Sequence, residues 1–164
     1  MFLSHFATLA AYNRWANARL YDACAGLSDA ARKLDRRGFF GSIHNTLNHI
    51  LVGDRAWLDR VEDIDSGAVA LDAVLFDDCS ALRDARTLED KRVDRVLARM
   101  DEARIAGDLV YRNVAGTRYR TPMRLVFTHL FNHQTHHRGQ VHDMLSQAGA
   151  TPPELDLIYY VRTL

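Results

Sequence analysis

The chain has 164 residues, of which 48% are hydrophobic and 26% are charged, a composition typical of one globular domain with its own core. Lys and Arg together number 21, as do Asp and Glu, so the formal net charge is zero. A neutral chain lacks the positive field that draws proteins to nucleic acid or anionic membranes, and we expect neither partner. The sequence predicts a single domain over residues 1–164.

The cysteines and the N-terminal segment indicate the compartment. Cys24 and Cys79 are the only cysteines, too few for a disulfide framework, which favours a reducing environment. The N-terminal segment has no basic stretch before an apolar run and no signal-peptidase motif. No uncharged stretch reaches the roughly 18 residues that a membrane helix needs. We therefore expect a soluble, cytoplasmic protein.

Four segments carry apolar residues at the three- and four-residue steps of an amphipathic helix. They cover about 2–27, 42–61, 81–105 and 121–149. Ser42 is the predicted N-cap of the second helix, and Thr121-Pro122 predicts the start of the fourth. Four long amphipathic helices favour an all-α fold, a four-helix bundle.

Two shorter segments complete the predicted fold. Residues 109–120 have β-forming residues on both sides of Ala115-Gly116, a pattern that predicts a short β-hairpin before the last long helix. The chain beyond Gly149 is expected to fold back on the bundle as a short helix or as an extended tail. No repeat, low-complexity segment or Pro-rich linker suggests a second domain.

The last predicted helix contains five of the eight histidines, and helix geometry separates them. Each residue advances about 100° around the axis, so His133 and His137 lie in the same apolar stripe, one turn apart. An i, i+4 pair is the spacing by which one helix gives two ligands to a single metal ion. His129 and His136 lie at the edge of the stripe, and His142 lies on the opposite face, towards solvent.

A metal site needs a further ligand, and three histidines lie outside the last helix. His49 lies beside the apolar stripe of the second helix, and the small residues Gly53 and Ala56 would let another helix approach. His44 falls in the first turn and is expected to be exposed or capping. His5 lies at the far N-terminal end. We therefore select His49 as the third ligand.

Three imidazoles would leave one coordination position open, as in catalytic metal sites. The chain has no H-E-x-x-H motif, and its four glutamates lack the E-x-x-H pairs of di-iron bundles. Nucleophile-elbow and phosphate-loop motifs are also absent. Cys24 lies on the apolar stripe of the first helix, where packing is the simpler interpretation and a thiolate role the alternative.

Polar residues interrupt two of the apolar stripes. Asp54 does so in the second helix, and Asn13 and Asn17 do so in the first. They either fix the register of the bundle by hydrogen bonding or support a ligand and its bound water. Arg138 would receive an anionic substrate group or pair with a neighbouring acidic residue. Gly139 inside a helix indicates close backbone packing.

Three motifs, "YNRWANARLYDA", "GSIHNTLNHILVGDRAWLDR" and "HLFNHQTHHRGQVHDML", span most of the chain in this order. They resemble the DinB family of metalloenzymes, the damage-inducible bundle proteins. The resemblance implies a four-helix bundle with a long crossover connection. It also implies a divalent metal ion at His49, His133 and His137, and a homodimer.

The family is also similar to metal-dependent transferases that use low-molecular-weight thiols such as mycothiol or bacillithiol. The resemblance therefore implies a metal-dependent thiol S-transferase, and an open three-histidine site would equally suit a hydrolase. One alternative is a non-catalytic metal-binding stress-response module. Another is a structural interaction protein whose histidines form hydrogen bonds with one another. Zn²⁺ is the expected ion, because imidazole ligands suit Zn, Ni, Fe and Cu alike and Zn²⁺ is the default. Ni, Fe or Mn are the alternative occupants.

Overall fold

Helices account for most of the computed structural model, which describes residues 2–113 and 115–164. The elements in chain order are α1 (Phe2–Ala25), α2 (Asp29–Lys33), α3 (Ile43–Glu62), α4 (Cys79–Ala98), α5 (Glu102–Ala106), β1 (Asp108–Arg112), β2 (Arg118–Pro122), α6 (Met123–Gln147) and α7 (Leu157–Val161). The predicted helical fold with a hairpin before the last long helix is confirmed. Val114, in the predicted hairpin, lies outside the described residues.

Side-chain caps set where the helices begin. Ser42 caps α3, as predicted, because its hydroxyl accepts a hydrogen bond from the Asn45 amide. The single helix predicted over 81–105 is wrong, because the chain there forms both α4 and α5. Asp101 caps α5 by accepting a hydrogen bond from the Arg104 amide, which starts a new helix just after α4 ends.

The four long helices pack so that α1 and α3 are each flanked by α4 and α6. Arg86 on α4 pairs with Asp54 on α3, and Arg92, further along α4, pairs with Asp59 further along α3. Because the numbers of the contacting residues increase together along both helices, α3 and α4 are parallel. The connection 63–78 must therefore return along the length of the helices, which is the predicted long crossover.

Two apolar clusters fill the interior at the two ends of the bundle. The first includes Phe6, Leu58, Val93, Phe127 and Leu130, and the second includes Leu20, Leu47, Leu51, Leu82 and Leu145. Every long helix contributes to both clusters, with buried polar residues between the two contributions. Burial of this apolar surface is the main favourable contribution to folding.

The hairpin packs against α3 and α6, and the C-terminal segment packs against α1. β1 and β2 are antiparallel, with Leu109 opposite Thr121, and α6 starts directly after β2 at Met123 rather than at Thr121. The tail carries a short helix, α7, and the Tyr12 hydroxyl donates a hydrogen bond to the Leu155 carbonyl at 2.7 Å. Among the described residues, every helix is too short or too polar to cross a membrane.

Candidate metal centre

Three histidines from two helices meet at one point between α3 and α6. His49 comes from α3, and His133 and His137 come from successive turns of α6. The Nε2 atom of His49 lies 3.1 Å from Nε2 of His133 and 3.2 Å from Nε2 of His137. One nitrogen from each ring lies within 4.8 Å of the others. The structure thus brings together the three residues selected from the sequence.

Two carbonyl oxygens set the orientation of two of these rings. His49 Nδ1 lies 2.7 Å from the Leu71 carbonyl oxygen, and His137 Nδ1 lies 2.7 Å from Oε1 of Gln140. A carbonyl oxygen only accepts, so each Nδ1 carries the proton and donates it. The opposite nitrogen, Nε2, then has a free lone pair, the state that a metal ligand requires.

The donor set fits a metal ion. With both protons on Nδ1, the 3.2 Å contact between His49 Nε2 and His137 Nε2 joins two hydrogen-bond acceptors, which is unfavourable without a cation between them. Ligands about 2.0–2.1 Å from a tetrahedral Zn²⁺ lie about 3.3 Å apart, close to the observed spacing. Metal binding itself stays a prediction.

Glycine at position 53 makes room for one ligand ring. A Cβ atom at Gly53 would lie 2.9 Å from Cε1 of His133, closer than real Cβ contacts. The expected close approach at Gly53 is therefore seen, and a side chain rather than a backbone fills the space. The same expectation for Gly139 is wrong, because a Cβ there would meet nothing within 4 Å.

An aromatic side chain outside the long helices covers the ligands. Phe40, in the segment before α3, stacks on His49 with ring centroids 3.8 Å apart and meets the edge of His137 at 5.5 Å. Helical periodicity gives no signal for such a residue, because it lies in an irregular segment. Phe40 excludes water from one side of the histidines and strengthens the local electrostatics.

A cavity of about 940 Å³ opens beside the histidines. His49 and His133 lie on its wall, together with Trp57 and His129. The crossover connection 63–78 forms another wall, with apolar side chains from Ile64 to Leu75. A cavity of this size is in the range of small-molecule sites, so a small organic ligand can reach His49 and His133.

The surroundings keep the three rings neutral. Burial lowers the pKa of His49 and of His137, although the hydrogen bonds to Leu71 and Gln140 partly oppose this effect. Burial, followed by the neighbouring rings of His137 and His49, lowers the pKa of His133 to about 3. Neutral imidazoles are the form that binds metal ions, so the chain is prepared for a ligand role at neutral pH.

The other histidines take separate positions. His129 and His136 are exposed at the edge of the site, as expected, and His129 packs against Trp57 with ring centroids 5.1 Å apart. His142 is partly buried rather than solvated. The expectation for His44 is wrong: it is buried, and its Nε2 lies 2.8 Å from the Phe76 carbonyl oxygen of the crossover connection.

The four predicted supporting residues lie in a different place. They belong to a group of buried side chains between the two apolar clusters, here called the polar layer: Asn13, Asn17, Asp54, Arg86, Asp90, Gln134 and Arg138. Within the described residues, the hydrogen bonds of Asp54, Asn13, Asn17 and Arg138 go to other members of this layer or to Thr135, and none reaches His49, His133 or His137.

The polar layer is held by complementary charges. Arg86 donates to Asp54 at 2.5 Å and pairs with Asp90 at 3.0 Å, and Asn17 donates to Asp90 at 3.0 Å. Arg138 donates to the side-chain oxygens of both Asn13 and Asn17. Within the described residues Arg86 Nε has no hydrogen-bond partner, and most of the observed bonds of the layer join different helices.

Cys24 is buried within the second apolar cluster, which agrees with packing rather than a thiolate role. Burial raises the pKa of its thiol to about 12, so the thiolate is not formed near neutral pH.

Gln140 is a site residue that the sequence did not reveal, although it lies three residues after His137 on the same helix. That i, i+3 spacing is the sequence signal that would have found it.

Comparisons with known proteins agree with this geometry. The model of the DinB family matches residues 1–163 of the chain. Protein DinB of Bacillus subtilis (strain 168) is 26% identical over 170 residues, covering 97% of this chain and 95% of that protein. The crystal structure of a DinB-like protein from Bacillus cereus ATCC 10987 shares the fold, with a TM-score of 0.65 at 18% identity over 85% of this chain and 89% of that chain. The chain belongs to the DinB family.

Proposed function

We propose that the chain is a metal-dependent transferase that joins a low-molecular-weight thiol to an electrophile, using a divalent ion at His49, His133 and His137. The observation that carries this proposal is the convergence of three Nε2 atoms, two of them from residues on the wall of a 940 Å³ cavity. When bound, the ion would lower the pKa of a thiol, or of water in a hydrolase, and stabilise the anion near neutral pH.

The protein's own residues prepare this chemistry. The Leu71 carbonyl and Gln140 hold the protons of His49 and His137 on Nδ1, which keeps the lone pairs of Nε2 pointed at one place. Phe40 shields these rings from water on one side, while the cavity leaves the other side open to a small molecule. Such an arrangement suits a site that binds substrate rather than a closed structural metal site.

The first test follows thiol binding directly. Protein loaded with Co²⁺ is titrated with 2-mercaptoethanol while its visible and near-ultraviolet absorption is recorded. A new sulfur-to-cobalt band supports the proposal. A spectrum that stays unchanged at saturating thiol, together with no turnover, contradicts it and supports the non-catalytic metal-binding module instead.

The second test removes one ligand. His133→Ala is expected to lower zinc affinity by more than about 100-fold, because even the loss of a hydrogen-bond partner of a ligand costs 10–100-fold. The reaction of glutathione with 1-chloro-2,4-dinitrobenzene, which forms a C–S bond and releases chloride and the thiol proton, should fall in parallel. Retained turnover in metal-free His133→Ala would refute the proposal.

A matched control lies on the same helix. His142→Ala removes an imidazole five residues beyond His137, at a position whose side chain does not line the cavity. Zinc affinity and turnover should stay at the wild-type level in this variant. Metal analysis of the wild-type protein purified without a histidine tag gives the reference content, and no uptake on titration would leave the histidines as a structural cluster.

A further inference from the structure

The cavity beside the histidines carries charged side chains as well as apolar ones. Three cations, Arg55, Arg60 and Arg112, and two carboxylates, Asp59 and Asp65, lie on its wall. A charged group on a cavity wall recognises a ligand only if the protein does not already use it. The partners of each group therefore decide which charges are available.

Two of the five groups are held in ion pairs with α4. Asp59 accepts a hydrogen bond from Arg92 at 2.6 Å, and the same arginine also binds Glu62 and Glu89. Arg55 pairs with Glu89 at 3.5 Å. These charges are compensated within the protein, so they contribute little to ligand selection.

Two more groups are engaged by their own loops. Arg112 donates to the Gly116 carbonyl at 2.7 Å, and Asp65 accepts from the Gly67 amide at 3.2 Å, bonds that orient the two groups without neutralising their charges. Arg60 has no such bond in the described part of the chain. Within residues 2–113 and 115–164, its guanidinium makes neither a hydrogen bond nor an ion pair with the protein, and its recorded contacts are with aromatic rings.

Arg60 is nevertheless held in place. Its guanidinium carbon lies 4.7 Å from the ring centroid of Trp57 and 5.3 Å from that of Tyr111. The two rings meet edge to face, 5.2 Å apart, and Trp57 packs in turn on His129. A guanidinium stacked on aromatic faces keeps its N–H edges free, and this is the geometry that accepts a carboxylate in a bidentate pair.

Arg60 lies on the same face of α3 as the metal ligand. His49, Gly53 and Arg60 are four and seven residues apart, close to whole numbers of helical turns. His49 and Arg60 are thus separated by about 16 Å along the axis of α3. Both residues lie on the wall of the same cavity.

We infer that Arg60 is the specificity-determining residue of the cavity and selects a thiol that carries a carboxylate. The sulfur lies at the three histidines, and the carboxylate, at the other end of the molecule, pairs with the free guanidinium. This inference rests on the proposed function, and it adds the charge and the orientation of the thiol substrate.

S-Methylglutathione and its diethyl ester are probes that separate carboxylate recognition from thiol binding. They have the same length and no free thiol, so their affinity for zinc-loaded protein, measured by calorimetry, does not depend on a sulfur–metal bond. We expect the acid to bind about tenfold more tightly than the ester, as one charge-assisted bidentate pair contributes. Arg60→Gln should remove that preference, and Arg60→Lys should retain only part of it.

Arg95→Gln is the matched control, since it makes the same change at an exposed position of α4 that does not line the cavity. It should keep the tenfold preference for the acid. Equal affinities of acid and ester in the wild-type protein, or an unchanged ratio in Arg60→Gln, overturn the inference. If 2-mercaptoethanol still gives the cobalt band in that case, the thiol-transfer proposal stands without it.

Discussion

The metal centre and the polar layer both consist of polar side chains inside a helical interior. They differ in whether hydrogen-bond donors face acceptors. In the polar layer donors face acceptors, as where Arg86 meets Asp54 and Asp90. In the metal centre the acceptor nitrogens of His49 and His137 face each other at 3.2 Å. In the first arrangement the chain supplies both the donor and the acceptor of each named pair, whereas in the second it supplies two acceptors, an arrangement that a bound cation would satisfy.

The two regions carry the same signal in the sequence, a polar residue within an apolar stripe. Asp54 and His49 lie within six residues of each other on α3, and Gln134 lies beside His133 on α6. What separates them is the neighbouring helix. α4 offers Arg86 to Asp54, while on the other side of α3 the histidines face a cavity. The presence or absence of a facing hydrogen-bond donor thus distinguishes the polar layer from the metal centre.

The largest expected effect comes from breaking the polar layer. Asp54→Ala removes the acceptor of both Arg86 and Gln134, and the loss of one partner from a buried ion pair costs about 3–5 kcal/mol of unfolding free energy. Urea unfolding of the metal-free protein measures it. Asp94→Ala, which breaks an exposed pair with Arg14, should cost about 0–1 kcal/mol. Similar costs at the two sites would contradict the comparison.

A smaller effect is expected where the metal centre is supported. Gln140→Ala removes the acceptor that holds the proton of His137 on Nδ1, so zinc affinity should fall by about 10–100-fold. Competition with a chelator measures the change. Gln147→Ala, on the same helix, breaks only an exposed hydrogen bond to Asp143 and should leave zinc affinity unchanged. Equal affinities for the two variants would mean that Gln140 does not orient the ligand.

The two regions also differ in pH dependence. Burial lowers the pKa of His133 to about 3, so the unfolded chain binds more protons and stability falls as the pH drops below the ordinary imidazole value of about 6.5. Burial raises the pKa of Asp54 to about 6, so its contribution has the opposite sign and is lost as the pH rises from about 4 to about 6.

Unfolding of the metal-free protein at several pH values separates these contributions. Between pH 6.5 and 4, His133→Ala should flatten the loss of stability on acidification, because it removes a group that resists protonation in the native state. Asp54→Asn should steepen that loss, because it removes the opposing contribution. A change of slope in the same direction for both variants would show that the two regions do not titrate independently.

Much of the helical part was predictable, because helical periodicity and caps are local. The 100° step separated His133 and His137 from the other histidines of α6, and Ser42 marked the start of α3 correctly. The helix predicted over 81–105 was less predictable, because Asp101 caps a new helix, α5, within the periodic pattern. The periodic pattern of a single helix does not show which neighbouring helix supplies the hydrogen-bond partner of a buried polar group. The partner of Asp54 could therefore not be predicted.

The contacts that the sequence did not predict come from the irregular segments. Phe40, the Leu71 carbonyl and the Phe76 carbonyl contact histidines from segments without periodicity, and two of the three contacts use backbone atoms that any residue provides. The burial of His44 follows from the same cause, because the crossover connection covers the first turn of α3. Such contacts follow from the path of the chain, which tertiary packing determines.

Parallel packing of α3 and α4 obliges the chain to cross over, and the crossover lies against the cavity. Residues 64–71 are exposed and contribute nothing to the two apolar clusters, while the ligand histidines sit on rigid helices. Substitutions in this connection can therefore alter which molecule enters without a large cost in folding free energy. The three histidines and the crossover wall of the cavity lie on different parts of the chain. Relatives with the same three histidines can therefore bind different substrates.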